Sequence, residues 1–151
     1  MTPAEALARR ATQAAGWRFV PGMATLDGLR VVAVGDEGTA WTLDVMADPG
    51  FTMGRVPADA LPDLADPATI GCVLALVRER YPDAYAAREG RSWWAHDAEG
   101  TPLCAFPGAY ETRQRGESCC VGGPCHRPAA GATEAEALVL ALEAAGVPDA
   151  R

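Results

Sequence analysis

The stretch from Asp66 to Pro82 constrains this chain more than any other. Asp66 offers a side-chain acceptor, Pro67 suits the first helical position, and Pro82 cannot continue a helix. Between them Ile70, Val73, Leu74 and Val77 recur at i, i+3, i+4 and i+7, the spacing of an apolar stripe along an α-helix. Cys72 and Leu76 widen that stripe, and Arg78 and Arg80 suit the C-terminal end of the helix dipole. A well buried helix is predicted here, with Cys72 as one of its core residues. A helix this apolar needs other elements to cover it, and the flanking sequence holds both kinds.

Two further helices are marked by their ends. Thr2-Pro3-Ala4-Glu5 forms a capping box with proline at the first position, Leu7, Ala11 and Ala14 supply a thin stripe, and Gly16 ends the helix. Near the C-terminus, Thr133-Glu134-Ala135-Glu136 repeats the capping pattern. Leu138, Val139, Leu142 and Ala145 follow as its stripe, and Gly146 and Pro148 mark its end. Such a terminal helix stays ordered only by docking on a core.

Strand signals lie between the helices. Leu29 to Val34 is a β-branched run, Gly35-Asp36-Glu37-Gly38 is a turn, and Trp41, Leu43 and Val45 alternate with Thr42 and Asp44 as in a half-buried strand. Asp48-Pro49-Gly50 makes a second turn, before a short strand over Phe51 to Val56. Ser92 to His96 reads as another strand, which turns at Asp97-Ala98-Glu99-Gly100 and returns over Thr101 to Phe106. The stretch 107–131, rich in Gly, Pro and Cys, reads as one long loop, a length usually tied to function or to disorder. The order of elements predicts an α+β fold: one domain over 1–151, with an antiparallel sheet and about three helices packed on it. A domain of 151 residues with 49% apolar and 22% charged residues can bury a real core.

Charge narrows the function classes. Thirteen basic residues, all Arg, face twenty acidic ones, for a net charge of −7. An acidic surface repels phosphate backbones, which argues against unspecific nucleic-acid binding. With no Lys in the chain, a Schiff base, a P-loop lysine and a catalytic lysine are all excluded. No apolar run reaches the ~20 residues that cross a bilayer, so no membrane role is expected. Met1 to Glu5 lacks the basic and apolar regions of a signal peptide, so the expected location is the cytoplasm.

One constellation could carry chemistry. Cys119-Cys120-Val121-Gly122-Gly123-Pro124-Cys125-His126 places three thiols and an imidazole within eight residues of a glycine-rich loop. Zinc prefers four Cys or His ligands in tetrahedral array, and Cys104 or His96 on the preceding hairpin could complete the set. The spacing is not that of paired Cys-x-x-Cys knuckles, and side chains of neighbouring residues point apart. Two alternatives stand beside it: cysteines packed as small hydrophobes, and a redox pair joining Cys119 or Cys120 to Cys125. No cofactor is expected beyond a structural zinc at this loop.

Turn acids such as Asp36, Glu37, Asp97 and Glu99 are solvated loop formers far more often than acid–base pairs. Trp93 and Trp94 should point to opposite sheet faces, leaving one in the core and one free to anchor a partner. Arg113 and Arg115 in the loop could hold a phosphate.

Leu64 to Glu79 and Ala132 to Ala145 resemble small phage and prophage proteins. They are similar to the phage helix–sheet–helix sandwich domain, in which a Trp-containing strand precedes a C-terminal helix that opens with Thr and Glu. The Cys-rich loop departs from that pattern. The resemblance implies a phage-type accessory protein in a bacterial host that binds another macromolecule, for instance to inhibit host defence, with no catalytic residues to carry over. The sequence-based expectation is therefore a binding protein rather than an enzyme, using Trp93, Trp94 and the long loop. Its partner is expected to be a protein, and an open sheet edge adds the expectation of a homodimer. The alternatives are a zinc-binding protein using the Cys119–His126 loop and a protein that sequesters a small molecule or nucleotide.

Overall fold

Each capped segment forms the helix its ends predict. In the computed structural model, which describes residues 1–45, 51–105, 112, 114–116 and 127–145, these are α1 (Pro3–Gln13), α2 (Pro67–Arg78) and α3 (Glu134–Ala145). The strands are β1 (Val31–Val34), β2 (Ala40–Val45), β3 (Phe51–Arg55), β4 (Tyr85–Glu89), β5 (Ser92–His96) and β6 (Ala130–Gly131). The class is α+β, with three helices and two three-stranded antiparallel sheets among the described residues, ordered β1-β2-β3 and β4-β5-β6. The chain divides into two compact units, Met1–Thr12 with Arg18–Cys72, and Gln13–Trp17 with Val73–Arg151, the division falling inside α2. No helix among the described residues is long and apolar enough to cross a membrane.

In the first unit, the capping box of α1 is reciprocal. The Thr2 N–H donates to Glu5 Oε2 at 2.6 Å, and the Glu5 N–H donates to Thr2 Oγ1 at 3.1 Å. The Thr2 N–H, followed by its hydroxyl, holds the Glu5 carboxyl below its ordinary range. The residues before β1 extend that sheet. Val31 N–H donates to Met23 O at 2.8 Å, Gly22 N–H donates to Val31 O at 2.9 Å, and Thr25 pairs with Pro62. Met23, Thr25, Val31, Pro62 and Thr69 are fully buried here.

Asp66 ties this core to the start of α2. Arg30 grips its carboxylate with two nitrogens, at 3.0 and 3.4 Å, and also donates to Gly22 O at 2.6 Å. Asp66 Oδ2 accepts from both the N–H and the hydroxyl of Thr69, each at 2.8 Å, and the Thr69 hydroxyl accepts from Ala24 N–H at 2.8 Å. The Arg30 guanidinium and then the two Thr69 donors lower the Asp66 carboxyl to about 2, and the same contact raises Arg30.

In the second unit, β4 and β5 form a hairpin turning at Gly90, whose left-handed φ of 62° suits glycine. The helix α3 lies on β4, β5 and β6. Its predicted stripe is buried, and so are Ala135, Ala137, Ala141 and Ala144, so the helix is covered almost all round. Its capping box reaches back one residue further than the usual pattern. Glu136 N–H donates to Thr133 Oγ1 at 3.1 Å, while Glu136 Oε2 accepts from Ala132 N–H at 2.8 Å.

Several expectations change in detail. The strands divide between two sheets. β5 takes β4 as its hairpin partner, and the described residues after the 97–100 turn make only isolated bridges, at Pro102 and Cys104. Pro102 has no N–H to give a ladder. One end of the 107–131 stretch is not loop, since Ala130 and Gly131 pair with Trp94 and Trp93. The covered side of α2 holds Thr69, Val73, Leu76 and Val77, with Ile70, Leu74 and Cys72 at its shoulders. Cys72 is half-buried rather than core. Its thiol approaches Pro21 O at 3.7 Å, and burial pushes it above the ordinary thiol range.

Two outcomes follow for stability. Because the folded Asp66 titrates near 2 rather than 3.8, the unfolded chain binds more protons between those values, and stability rises with pH across that window. The stabilisation is complete above the ordinary carboxylate range and is lost as pH falls through about 2. Asp66→Asn should flatten this dependence in urea-unfolding midpoints measured from neutral to acid pH. Separately, a Cβ at Gly131 would lie 2.6 Å from Glu136 Cβ and Cγ, too close without displacing the cap. Gly131→Ala should lower the unfolding free energy by about 1–3 kcal/mol in chemical denaturation.

Candidate functional site

The first sheet turns apolar side chains outward. In β2, Thr42 is 5% exposed while its neighbour Leu43 is 42% exposed, so the strand is half-buried with its polar residue inside. Across the ladder Leu43 faces Met53, which is 48% exposed. In β1, Val31 is buried and Val32, at the register shift between Val31 and Ala33, is 43% exposed. A β-bulge re-aims side chains in this way. Leu43 and Met53 therefore form an exposed cross-strand pair on the outer face, and Val32, set beside Trp41 by the bulge, adds an exposed apolar residue from β1. The inner side carries small residues, Ala40, Thr42 and Val56. Arg55 is exposed at the end of β3 opposite Trp41, and the β1–β2 turn exposes Asp36 and Glu37. Exposed apolar patches rimmed by charge mark places where proteins bind one another.

The signal for this patch was present but ambiguous. Met53 shares its parity with Arg55, and an exposed arginine marks that side of β3 as outer. In β2 the alternation points the other way, with Leu43 on the apolar side, and the structure reverses it by burying Thr42 and exposing Leu43, since a one-residue change of phase exchanges the two faces.

Among the described residues, the second sheet carries the one polar cluster with a buried imidazole. His96 is 3% exposed, and its Nε2–H donates to Glu89 Oε1 at 2.8 Å. Its ring stacks on Tyr85, with centroids 5.1 Å apart and planes 16° apart. Register explains the meeting. Tyr85 lies opposite His96, and Glu89 lies on the same face two pairs further along, beyond Ala87 and Trp94. Nδ1 is buried with no hydrogen-bond partner among the described residues. A carboxylate that orients an imidazole is the frame of a general base, but such a base must reach a proton on a substrate. Here the second ring nitrogen is enclosed, so the cluster locks the hairpin.

The residues singled out from sequence fare unequally. Trp93 and Trp94 lie on opposite faces, as alternation requires, yet both are half-buried, so neither is a fully covered core residue nor a fully exposed anchor. Large indoles are seldom enclosed completely. Cys104 is buried and pairs with Pro128, and Arg115 is exposed. Arg113, Cys119, Cys120, Cys125 and His126 lie outside the described residues. Among the described residues no group of three or more His, Cys, Asp or Glu is placed to hold a metal ion. Comparison with protein-family models, with curated proteins and with solved structures returns no match.

The cluster on β4 and β5 gives a graded expectation. Glu89 is about half exposed, so Glu89→Ala should cost less than about 1 kcal/mol of unfolding free energy. His96→Ala removes a stacked, buried ring and should cost about 2–4 kcal/mol. Parallel denaturant titrations of the two variants check the ranking.

Proposed function

We propose that this protein acts by binding another macromolecule, a protein with a basic surface, through the outer face of the first sheet. The observation that carries this reading is the exposed Leu43–Met53 pair with exposed Val32 nearby, one large apolar side chain from each of three strands. Burying these side chains removes apolar area from water, which stabilises a complex by roughly 25 cal/mol per Å² before ordering costs. The net charge of −7 supplies the complementary term, since an acidic chain attracts a basic partner and speeds its encounter. The resemblance to phage accessory proteins directs the search to a bacterial host and to its defence enzymes. Self-association through an open sheet edge is the second interaction expected of such a protein.

Immobilised chain should capture a protein in stoichiometric amount from bacterial lysate. The double variant Val32→Arg, Leu43→Arg, with an unchanged circular dichroism spectrum, should lose it, because cations placed there are repelled by a basic partner and cannot be buried unpaired. Raising the salt concentration should weaken capture by the native chain. Equal capture by the native and doubly substituted chains would remove the first sheet from the interaction.

A further inference from the structure

We propose that a second copy of this chain pairs with the outer edge of β3, antiparallel and centred on Met53, making one continuous six-stranded sheet. This rests on the reading of the first sheet as an interaction surface, and adds the edge, the register and the occupant.

The backbone pattern sets the edge. Val56 N–H donates to Ala40 O at 2.9 Å, which makes these two residues a hydrogen-bonded pair. Along the ladder the bonded pairs alternate, so Thr42 with Gly54 and Asp44 with Thr52 exchange the bonds between β2 and β3. The N–H and C=O groups of Met53 and Arg55 therefore point away from β2. Among the described residues no strand pairs on that side. The edge also lacks the usual protections. Phe51-Thr52-Met53-Gly54-Arg55 holds no Pro and no Lys, and its only charge is Arg55 at one end.

The same features make the edge complementary to itself. Two antiparallel copies related by a two-fold axis at Met53 set each Met53 opposite the other, and the two residues exchange both backbone bonds. Thr52 of each copy then faces Gly54 of the other, and the two Arg55 residues fall about 13 Å apart along the strands, at opposite ends of the contact. No like charges meet. The apolar pair continues through the axis: Leu43 and Met53 of one copy run into Met53 and Leu43 of the second. Among the described residues a single chain leaves that pair ending at an unpaired edge. The dimer joins the two pairs and satisfies the backbone groups between them, in a closed contact that does not propagate.

Sedimentation of the purified full chain over a dilution series tests this. The expected mass is twice 15.8 kDa, falling to the single-chain value on dilution. Met53→Pro removes only the outward N–H and leaves the bonds of Thr52 and Gly54 to β2, so it should halve the mass at concentrations where the native chain is paired. Met53→Arg sets two cations face to face at the axis and should do the same, and it decides the matter if the proline variant does not fold. Hydrogen exchange at the Met53 and Arg55 amides should slow as the native chain is concentrated. A native chain at single-chain mass throughout overturns the proposal, as does a folded variant that keeps the doubled mass. A monomer whose Met53 amide is already protected also overturns it, because another segment of the same chain then covers the edge. The mass is read with no other protein present, so failure here is separate from failure to capture a partner.

Discussion

The first unit hangs on Asp66. Its carboxylate closes the N-terminus of α2 through the Thr69 N–H, anchors the Thr69 hydroxyl, and holds Arg30, which reaches on to the Gly22 carbonyl. Through Thr69 the same group satisfies the backbone N–H of Ala24, in the extended segment beside β1. One acidic side chain thus joins a helix start, a strand entry and the chain between them. Buried backbone donors must find partners, and the Thr69 hydroxyl accepts from Ala24 while giving its own proton to Asp66. The direction of each bond follows from the next, and the lowered acidity of Asp66 reflects that convergence of donors.

The two faces of the first sheet carry different side chains. The inner side is lined by Ala40, Thr42 and Val56, all buried and none large. Leu43 and Met53, directly opposite one another, are left on the outer side, and the register shift in β1 adds Val32. The second sheet differs. Its hairpin carries a histidine held between a stacked tyrosine and a carboxylate, and α3 covers it with a surface of alanine, leucine and valine.

Much of the secondary structure was legible because its signals are local. Thr2, Asp66 and Thr133 cap their helices as their positions suggest, since a cap involves only residues within one turn. The turns at Gly35 to Gly38 and Asp97 to Gly100 read correctly for the same reason. β4 was not legible. Tyr85-Ala86-Ala87-Arg88-Glu89 has no apolar alternation and is a strand only because β5 lies beside it. The candidate site was legible only in part. The exposed apolar residues needed the bulge at Val32 and the phase of β2, and neither is written in composition. The meeting of Glu89 with His96 needed the hairpin register. The residues first singled out, Cys119, Cys120, Cys125, His126 and Arg113, fall outside the described part of the chain.

By itself the sequence determined where helices begin, where the turns at Gly35 to Gly38 and Asp97 to Gly100 fall, that the fold mixes helix with antiparallel strand, and that the chain carries excess negative charge. These depend on side chains acting on their own or adjacent backbone, and on sums over composition. Tertiary structure alone decided which side of β2 is buried, that the strands separate into two sheets, and that Arg30 and Thr69 converge on Asp66. Those outcomes depend on register and on contacts between residues distant in sequence. In a strand the two faces differ by a single residue step, so only the partners laid against it choose between them.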